Sequence, residues 1–362
     1  MRVRHLWLGL FAVALVLSTA YWLLTRPWPV SPPTVQEKQM TDKLFEQTKS
    51  QCLGRYLFDV PISFTNALAD QVKINDVRIA SKRLYRPAFE QRIRLREQEL
   101  RNSPTVRQKD QHFLKQVYRI NENTVIFDRN ENCSVAGFGR ILEGHLYDNV
   151  VASEIRDVSD PKYQNDKEDY LNSRMKEGSM NNKPQKLAEI QSLLSRLKGR
   201  ADDDVPTQPG ICTPNGFISD ANIKSDEEIS MLYRQGDFEL VINSNSIPGK
   251  GETLLERGSE INPVMVRIGA HMLSKRPVKL PGINAEEWLI KAHQDIYRPE
   301  DKNVPYFTFI LYGNEKFADY NYPVLSVELH NSGLEVKNYT DSQLVDIWDR
   351  LTRTFKYRPG AF

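Results

Sequence analysis

The sequence predicts an α+β protein of two domains, each a mainly antiparallel sheet with packed helices, behind an N-terminal transmembrane or signal helix. Three observations predict it. The run GRYLFDVP sets Tyr56, Phe58 and Val60 on one side against Leu57 and Asp59 on the other, the period of a half-buried strand. The runs KLAEIQSLLSRLKG and TDSQLVDIWDRLTRTF carry apolar residues three and four apart, the period of an amphipathic helix. A chain of 362 residues is long enough for two cores rather than one.

In chain order, Arg2 and Arg4 precede HLWLGLFAVALVLSTAYWLL. This apolar run of roughly 19 residues is long enough to cross a bilayer as a helix. A cleaved signal has a shorter apolar core, so residues 1–28 are expected to be an uncleaved membrane anchor, with a cleaved signal ending near Ser18-Thr19-Ala20 as the alternative. Trp7, Trp22 and Trp28 stand at interfacial positions, and the leading arginines keep the N-terminus inside, so the remainder is exported. Residues 29–48 read as a proline-rich spacer that lifts the folded part off the membrane, closing on a short approach helix in TDKLFEQTK.

After GRYLFDVP, QVKINDVRIASKRLY reads as a second strand. RPAFEQRIRLREQELRN is a helix with Pro87 in its first turn, Phe89 and Ile93 on one face, and arginines on a solvated face. NTVIFDRN, CSVAGFGRILEGHLY and NVVASEIRD form an antiparallel meander. A polar segment follows, and then a helix with Leu187, Ile190, Leu194 and Leu197 on one stripe and Gly199 as its stop. The boundary falls in RADDDVPTQPG, giving an N-terminal domain of 49–205 and a C-terminal domain of 206–362.

The second unit opens at ICTPNGFISD. Its expected strands are DFELVINSNS, TLLERGSEI, YFTFILYG and YPVLSVELHN, and INAEEWLIKAHQ reads as a helix capped by Asn284 with Glu287 reaching back. The closing helix has Thr340 and Gln343 in capping-box spacing and Leu344, Ile347, Trp348, Leu351 and Phe355 on one face.

The chemistry is sparse. Forty-nine Lys and Arg against 47 Asp and Glu leave a net charge of +2, which removes any global argument for nucleic-acid binding. No Gly-x-Ser-x-Gly elbow, Walker loop or dinucleotide glycine pattern stands in context, and no two histidines are spaced to hold a metal on one helix. Asp202 to Asp204 lack a second ligand cluster, and the Glu286–Glu287 and Asp226–Glu228 runs suit the opening turns of helices, where the helix dipole favours negative charge. Hence no catalytic residue, cofactor or metal is expected. Cys52, Cys133 and Cys212 allow one disulfide and one spare thiol in an oxidising compartment. Loop aromatics of the second half, Tyr297, Phe317, Tyr320 and Tyr322, are the candidates for a protein interface, with packing against their own sheet as the alternative.

Two short motifs carry a family resemblance: CLGRYLFDVP behind a membrane-targeting segment, and GICTPNGFI some 160 residues later. Together they resemble the immunity proteins of type VI secreted phospholipase effectors, the two-domain periplasmic type, in which each motif opens one domain. The resemblance implies inhibition by binding. A cognate lipase effector would be gripped between the two domains and its lid kept from opening, in a periplasmic chain tethered to the inner membrane or, with a cleaved signal, soluble. It also favours Cys52–Cys212 as the disulfide, with Cys52–Cys133 as the alternative, and a role for Arg55 and Asp59 in pinning strand geometry or the domain junction. The competing functional expectation is a membrane-anchored periplasmic ligand-binding or enzymatic protein with a site assembled from dispersed residues; a structural partner in an envelope complex is a third.

Overall fold

The computed structural model describes Thr19 and residues 26–137, 139–157, 182–221, 223–236, 238–247, 249, 251–293, 305–331 and 339–362. Apart from Thr19 and Arg26 to Trp28, the residues 1–28 expected to form the anchor lie outside the described residues; among the described residues no helix is long and apolar enough to cross a membrane.

Helix α1 (Val35–Leu44) starts inside the stretch expected to be a spacer. The cause is a capping box: Thr34 accepts from the Glu37 N–H, and Glu37 accepts from the Thr34 N–H, which satisfies donors the first turn leaves open. Strands β1 (Thr48–Leu53) and β2 (Tyr56–Pro61) form a hairpin around Gly54 and Arg55, followed by the short β3 (Thr65–Asn66). QVKINDVRIASKRLY is two strands rather than one. β4 (Gln71–Ile74) and β5 (Val77–Arg83) turn at Asn75, whose φ of 51° is a left-handed conformation that asparagine tolerates.

Helix α2 (Arg86–Asn102) buries Phe89, Ile93 and Leu100 as its spacing predicts. The meander comprises β6 (Leu114–Asn121), β7 (Thr124–Asn130), β8 (Arg140–Asp148) and β9 (Val151–Asp157), of which β6 is additional to the sequence reading. Helix α3 (Lys183–Arg196) ends before Gly199, because Leu197 turns extended and opens β10 (Leu197–Gly199).

In the second half, β11 (Gly210–Thr213) and β12 (Gly216–Ser219) form a hairpin, and β13 (Glu227–Gln235) pairs with β14 (Phe238–Asn245). TLLERGSEI, expected as a strand, instead holds a turn and the opening of helix α4 (Gly258–Arg267), which buries Met265. β15 (His271–Leu280) follows. INAEEWLIKAHQ, expected as a helix, is strand β16 (Ile283–His293), paired with β15 on one side and β17 (Pro305–Gly313) on the other. Ile283, Ala285, Glu287 and Leu289 are buried at a spacing of two, and ladders on both sides outweigh the helix propensity of Ala-Glu-Glu. Asp226 to Glu228 likewise lead into β13, not into a helix. β18 (Val324–Asn331), helix α5 (Asp341–Thr352) and β19 (Lys356–Tyr357) close the chain. The capping box at Thr340 and Gln343 is present, and Leu344, Ile347, Trp348, Leu351 and Phe355 are all buried.

Among the described residues one antiparallel sheet runs through both halves in the order β15, β16, β17, β18, β14, β13, β4, β5, β9, β8, β7, β6, with β3 also on β13. The halves meet where β4 pairs with β13, Val72 opposite Ile229 and Lys73 opposite Glu228. Two small sheets, β1–β2–β19 and β10–β12–β11, mix residues of both halves.

Residues opposite one another in an antiparallel ladder point to the same face. On one face Ile155, Ile79, Val72 and Ile229 form a row that joins one core with Leu194 of α3, Phe58 of the first hairpin and Trp348 of α5. This face is covered across its width. Among the described residues the other face is covered only towards its ends. Phe89 and Ile93 of α2 sit with Phe127 and Ala152, and Met265 of α4 sits with Met272 and Trp288.

Candidate partner-binding site

The hairpin turn in QCLGRYLFDVP is the pin between the halves. Gly54 has φ +55°, and a Cβ there would lie 2.5 Å from the Ser244 hydroxyl oxygen, so only glycine lets the turn approach β14. The Gly54 N–H donates to the Cys212 carbonyl and the Cys212 N–H to the Gly54 carbonyl, both at 2.8 Å. Cys52 and Cys212 are joined in a disulfide with Cα atoms 5.7 Å apart, while Cys133 is free and exposed.

Arg55 is fully buried. Its Nη1 and Nη2 donate to both oxygens of Asp220 at 2.8 and 3.0 Å, and its Nε and Nη2 donate to Glu227 Oε1 at 3.0 and 2.6 Å. The planar fork of arginine satisfies two carboxylates at once, which a lysine cannot do. Burial pushes the Glu227 carboxyl up to about 7 against the pull of Arg55. The cluster ties residue 55 of the first half to residues 220 and 227 of the second. Asp59 is tied both ways: its carboxylate accepts from Ser50 across the hairpin, and its backbone N–H donates to Thr354, 295 residues away in the second half.

The uncovered part of the sheet supplies the second feature. A row of paired residues crosses it: Arg156 opposite Arg78, Arg78 opposite Lys73, Lys73 opposite Glu228, Glu228 opposite Asn245, with Glu154 opposite Ala80 two residues along. One residue pair along, Asn243 lies opposite Ser326, Ser326 opposite Tyr312, and Ile310 opposite Trp288. By this register α2 and α4 stand on the same face, and on the middle strands between them lies an open groove of about 920 Å³ lined by residues of β4, β5, β9, β13 and β14. Its floor is polar and mixed in charge. Lys73 Nζ meets Glu228 at 2.6 Å across the strand junction.

The wall on the α2 side is tied down by the arginines expected to be solvated. Arg96 donates twice to the buried Glu143 at 2.8 Å, and Arg92 pairs with Glu154. Glu143 also accepts from Arg129 and sits 3.0 Å from His145. Burial alone would raise the Glu143 carboxyl, but Arg96, His145 and Arg129 hold it well below the usual carboxylate range.

The aromatic candidates part company. Tyr320 turns inward: its hydroxyl donates to Asp220 at 2.6 Å, and the Arg55 guanidinium lies 4.1 Å from its ring centre, so it belongs to the junction. Phe317 and Tyr322, on the same β17–β18 connection, are 77% and 52% exposed. Tyr297 lies outside the described residues. The groove residues Lys73, Arg78, Glu228 and Asn243 escaped the sequence reading, although the polar members of QVKI and EEIS alternate with the buried ones.

Two halves locked together by a buried ion cluster and a disulfide, with a broad polar groove between two helices, define a binding protein in build. Two descriptions of one family match the chain in series: "Tle cognate immunity protein 4 N-terminal domain" over residues 49–200 and "Tle cognate immunity protein 4 C-terminal domain" over residues 204–360. The chain belongs to this family of immunity proteins, and it is not an enzyme.

Solved structures agree on the fold. The chain resembles the apo immunity protein TplEi of the type VI secretion system of Pseudomonas aeruginosa at 16% identity and a TM-score of 0.69, covering 86% of this chain and 97% of that one. It resembles a chain of the Tle4–Tli4 complex at 15% identity and a TM-score of 0.68, covering 86% and 98%. TplEi bound to an "L" peptide aligns at 15% identity with a TM-score of 0.64. No curated protein matches by sequence.

Proposed function

We propose that the chain binds and inhibits a cognate type VI secreted phospholipase in the periplasm, holding it across the groove between α2 and α4 and keeping its lid from opening. The observation that carries this is the polar middle of the sheet, which the described residues leave uncovered between two helices while they cover the opposite face. Family membership supports an immunity role, and a disulfide between the halves suits an oxidising compartment. The inhibitory units are residues 49–205 and 206–362. They act as one body because the sheet, the Arg55 cluster and the disulfide cross between them. Phe317, Tyr322 and Tyr297 are offered as further contacts for the effector.

The apolar run before residue 25 is proposed as an uncleaved anchor in the inner membrane, which would concentrate the inhibitor where phospholipid is attacked. The test is direct. A candidate lipase effector, sought in the reading frame beside this gene, is exported to the periplasm with and without the chain, and lysis and phospholipid hydrolysis are followed. Protection, with a complex recovered from the periplasm, is expected; lysis regardless of the chain would overturn the reading.

A further inference from the structure

The chain leaving the apolar run is fixed to the C-terminal half. The Trp28 backbone N–H donates to the Met272 carbonyl at 2.7 Å, and its ring stacks on His271 with centroids 4.4 Å apart. Both partners lie on β15, the last strand at that end of the described sheet. The apolar run ends at Leu24, so only Thr25, Arg26 and Pro27 intervene. Even fully extended, that link reaches about 14 Å. Whatever holds the run therefore holds the β15 edge close by.

The surface at this corner is apolar. Helix α4 passes through Ile268, Gly269 and Ala270 into β15, which brings its end beside the Trp28 stack. Ile268 is 51% exposed, Val264 one turn earlier 43%, and Trp28 itself 53%. Val266 is exposed as well, and Arg26 and Arg267 are exposed among them. Exposed aliphatics with a tryptophan and arginines at their border are the chemistry of a segment lying in the headgroup layer. A partner protein or a second copy would not require this patch to sit at the exit of a membrane-length run.

We propose that Trp28 and the exposed end of α4, through Val264 and Ile268 one turn apart, lie against the lipid surface. The inference rests on the anchor proposed above. It sets the α4 end of the groove-bearing face at the membrane, so an effector held on that face would be held close to its substrate.

The experiment uses the full chain in a Cys133→Ser background, which keeps the Cys52–Cys212 disulfide, reconstituted in phosphatidylethanolamine–phosphatidylglycerol vesicles. An NBD fluorophore is placed by Ile268→Cys, with Val264→Cys as a second site should the first misfold, and by Leu95→Cys on α2 as the distant reference. A headgroup nitroxide lipid is expected to quench the label at 268 or 264 by about twofold and to leave the label at 95 unchanged. Sedimentation after carbonate washing is read on the same samples. If the chain pellets with the vesicles but position 268 is quenched no more than position 95, the apposition is overturned and the anchor stands. If the chain is released by the wash, the anchor falls and the apposition with it. A blue-shifted label that lipid quencher does not reach would mean that protein, not lipid, covers the patch, and would also overturn the proposal.

Discussion

Arg55 and Asp220, 165 residues apart, form a two-pronged ion pair at 2.8 and 3.0 Å in the interior of the protein. The geometry makes Arg55 the shared counter-ion of Asp220 and Glu227, both buried, so its loss strands two carboxylates. Arg55→Met is expected to destabilise the fold by about 3–5 kcal/mol, the cost of leaving a buried charge without its partner. Arg55→Lys should recover only part of this, because an ammonium lacks the planar fork. Urea denaturation followed by tryptophan fluorescence measures both variants; a lysine variant as stable as the parent would contradict the role given to the fork.

The disulfide acts on the same junction from a few residues away. Cys52 and Cys212 are separated by 160 residues, and closing a loop of that length stabilises by up to about 5 kcal/mol in the chain-entropy model. Reduction, or Cys52→Ser with Cys212→Ser, should lower the denaturation midpoint markedly, whereas Cys133→Ser should leave it unchanged. Non-reducing peptide mapping checks the pairing, and a 52–133 linkage would refute it.

Some of this was legible in the sequence and some was not, for physical reasons. The period of two at Tyr56, Phe58 and Val60 and the helical stripe of Leu344, Ile347, Trp348, Leu351 and Phe355 are local patterns, and all eight side chains are buried. The capping box at Thr340 is equally local. β16 was misread because Asn284 and Glu287 satisfy a helix signature while the ladders that decide the matter come from residues on β15 and β17. Arg55 looked like a junction residue, but its partners could not be named, since contacts over 165 and 172 residues leave no local trace. The groove was invisible for the same reason. It is a property of register across β9, β5, β4, β13 and β14, and no single run contains it.

Glu227 gives the junction a pH dependence of defined sign. Burial raises its folded-state carboxyl from the ordinary 4.5 to about 7. Between those values the folded protein binds more protons than the unfolded chain, so stability falls as pH rises. The contribution is fully present below about 4.5 and lost as pH passes through about 7, amounting to at most about 3 kcal/mol. Glu227→Gln should flatten the stability profile over this window. The measurement is the urea midpoint across pH 4.5 to 7 relative to the parent, and an unchanged slope in the variant would count against the assignment.

The groove makes the last prediction. Ser230 is half-buried on its floor, and Lys73 pairs with Glu228 beside it, each charged side chain 38% exposed. A pair so exposed contributes about 1 kcal/mol or less, so changes here should spare the fold. Ser230→Arg places a long cation on the floor, and Lys73→Glu sets a carboxylate against Glu228, so each alters the shape or charge an effector must meet. Each is expected to weaken effector binding at least about tenfold, or roughly 1.4 kcal/mol. Val106→Arg, an exposed position that does not line the groove, serves as the reference and should bind as the parent does. Calorimetric titration against the candidate lipase effector, with its phospholipase activity assayed in parallel, reads the effect. Full affinity in both groove variants would move the contact surface elsewhere, and the exposed Phe317 and Tyr322 would then be the positions to substitute.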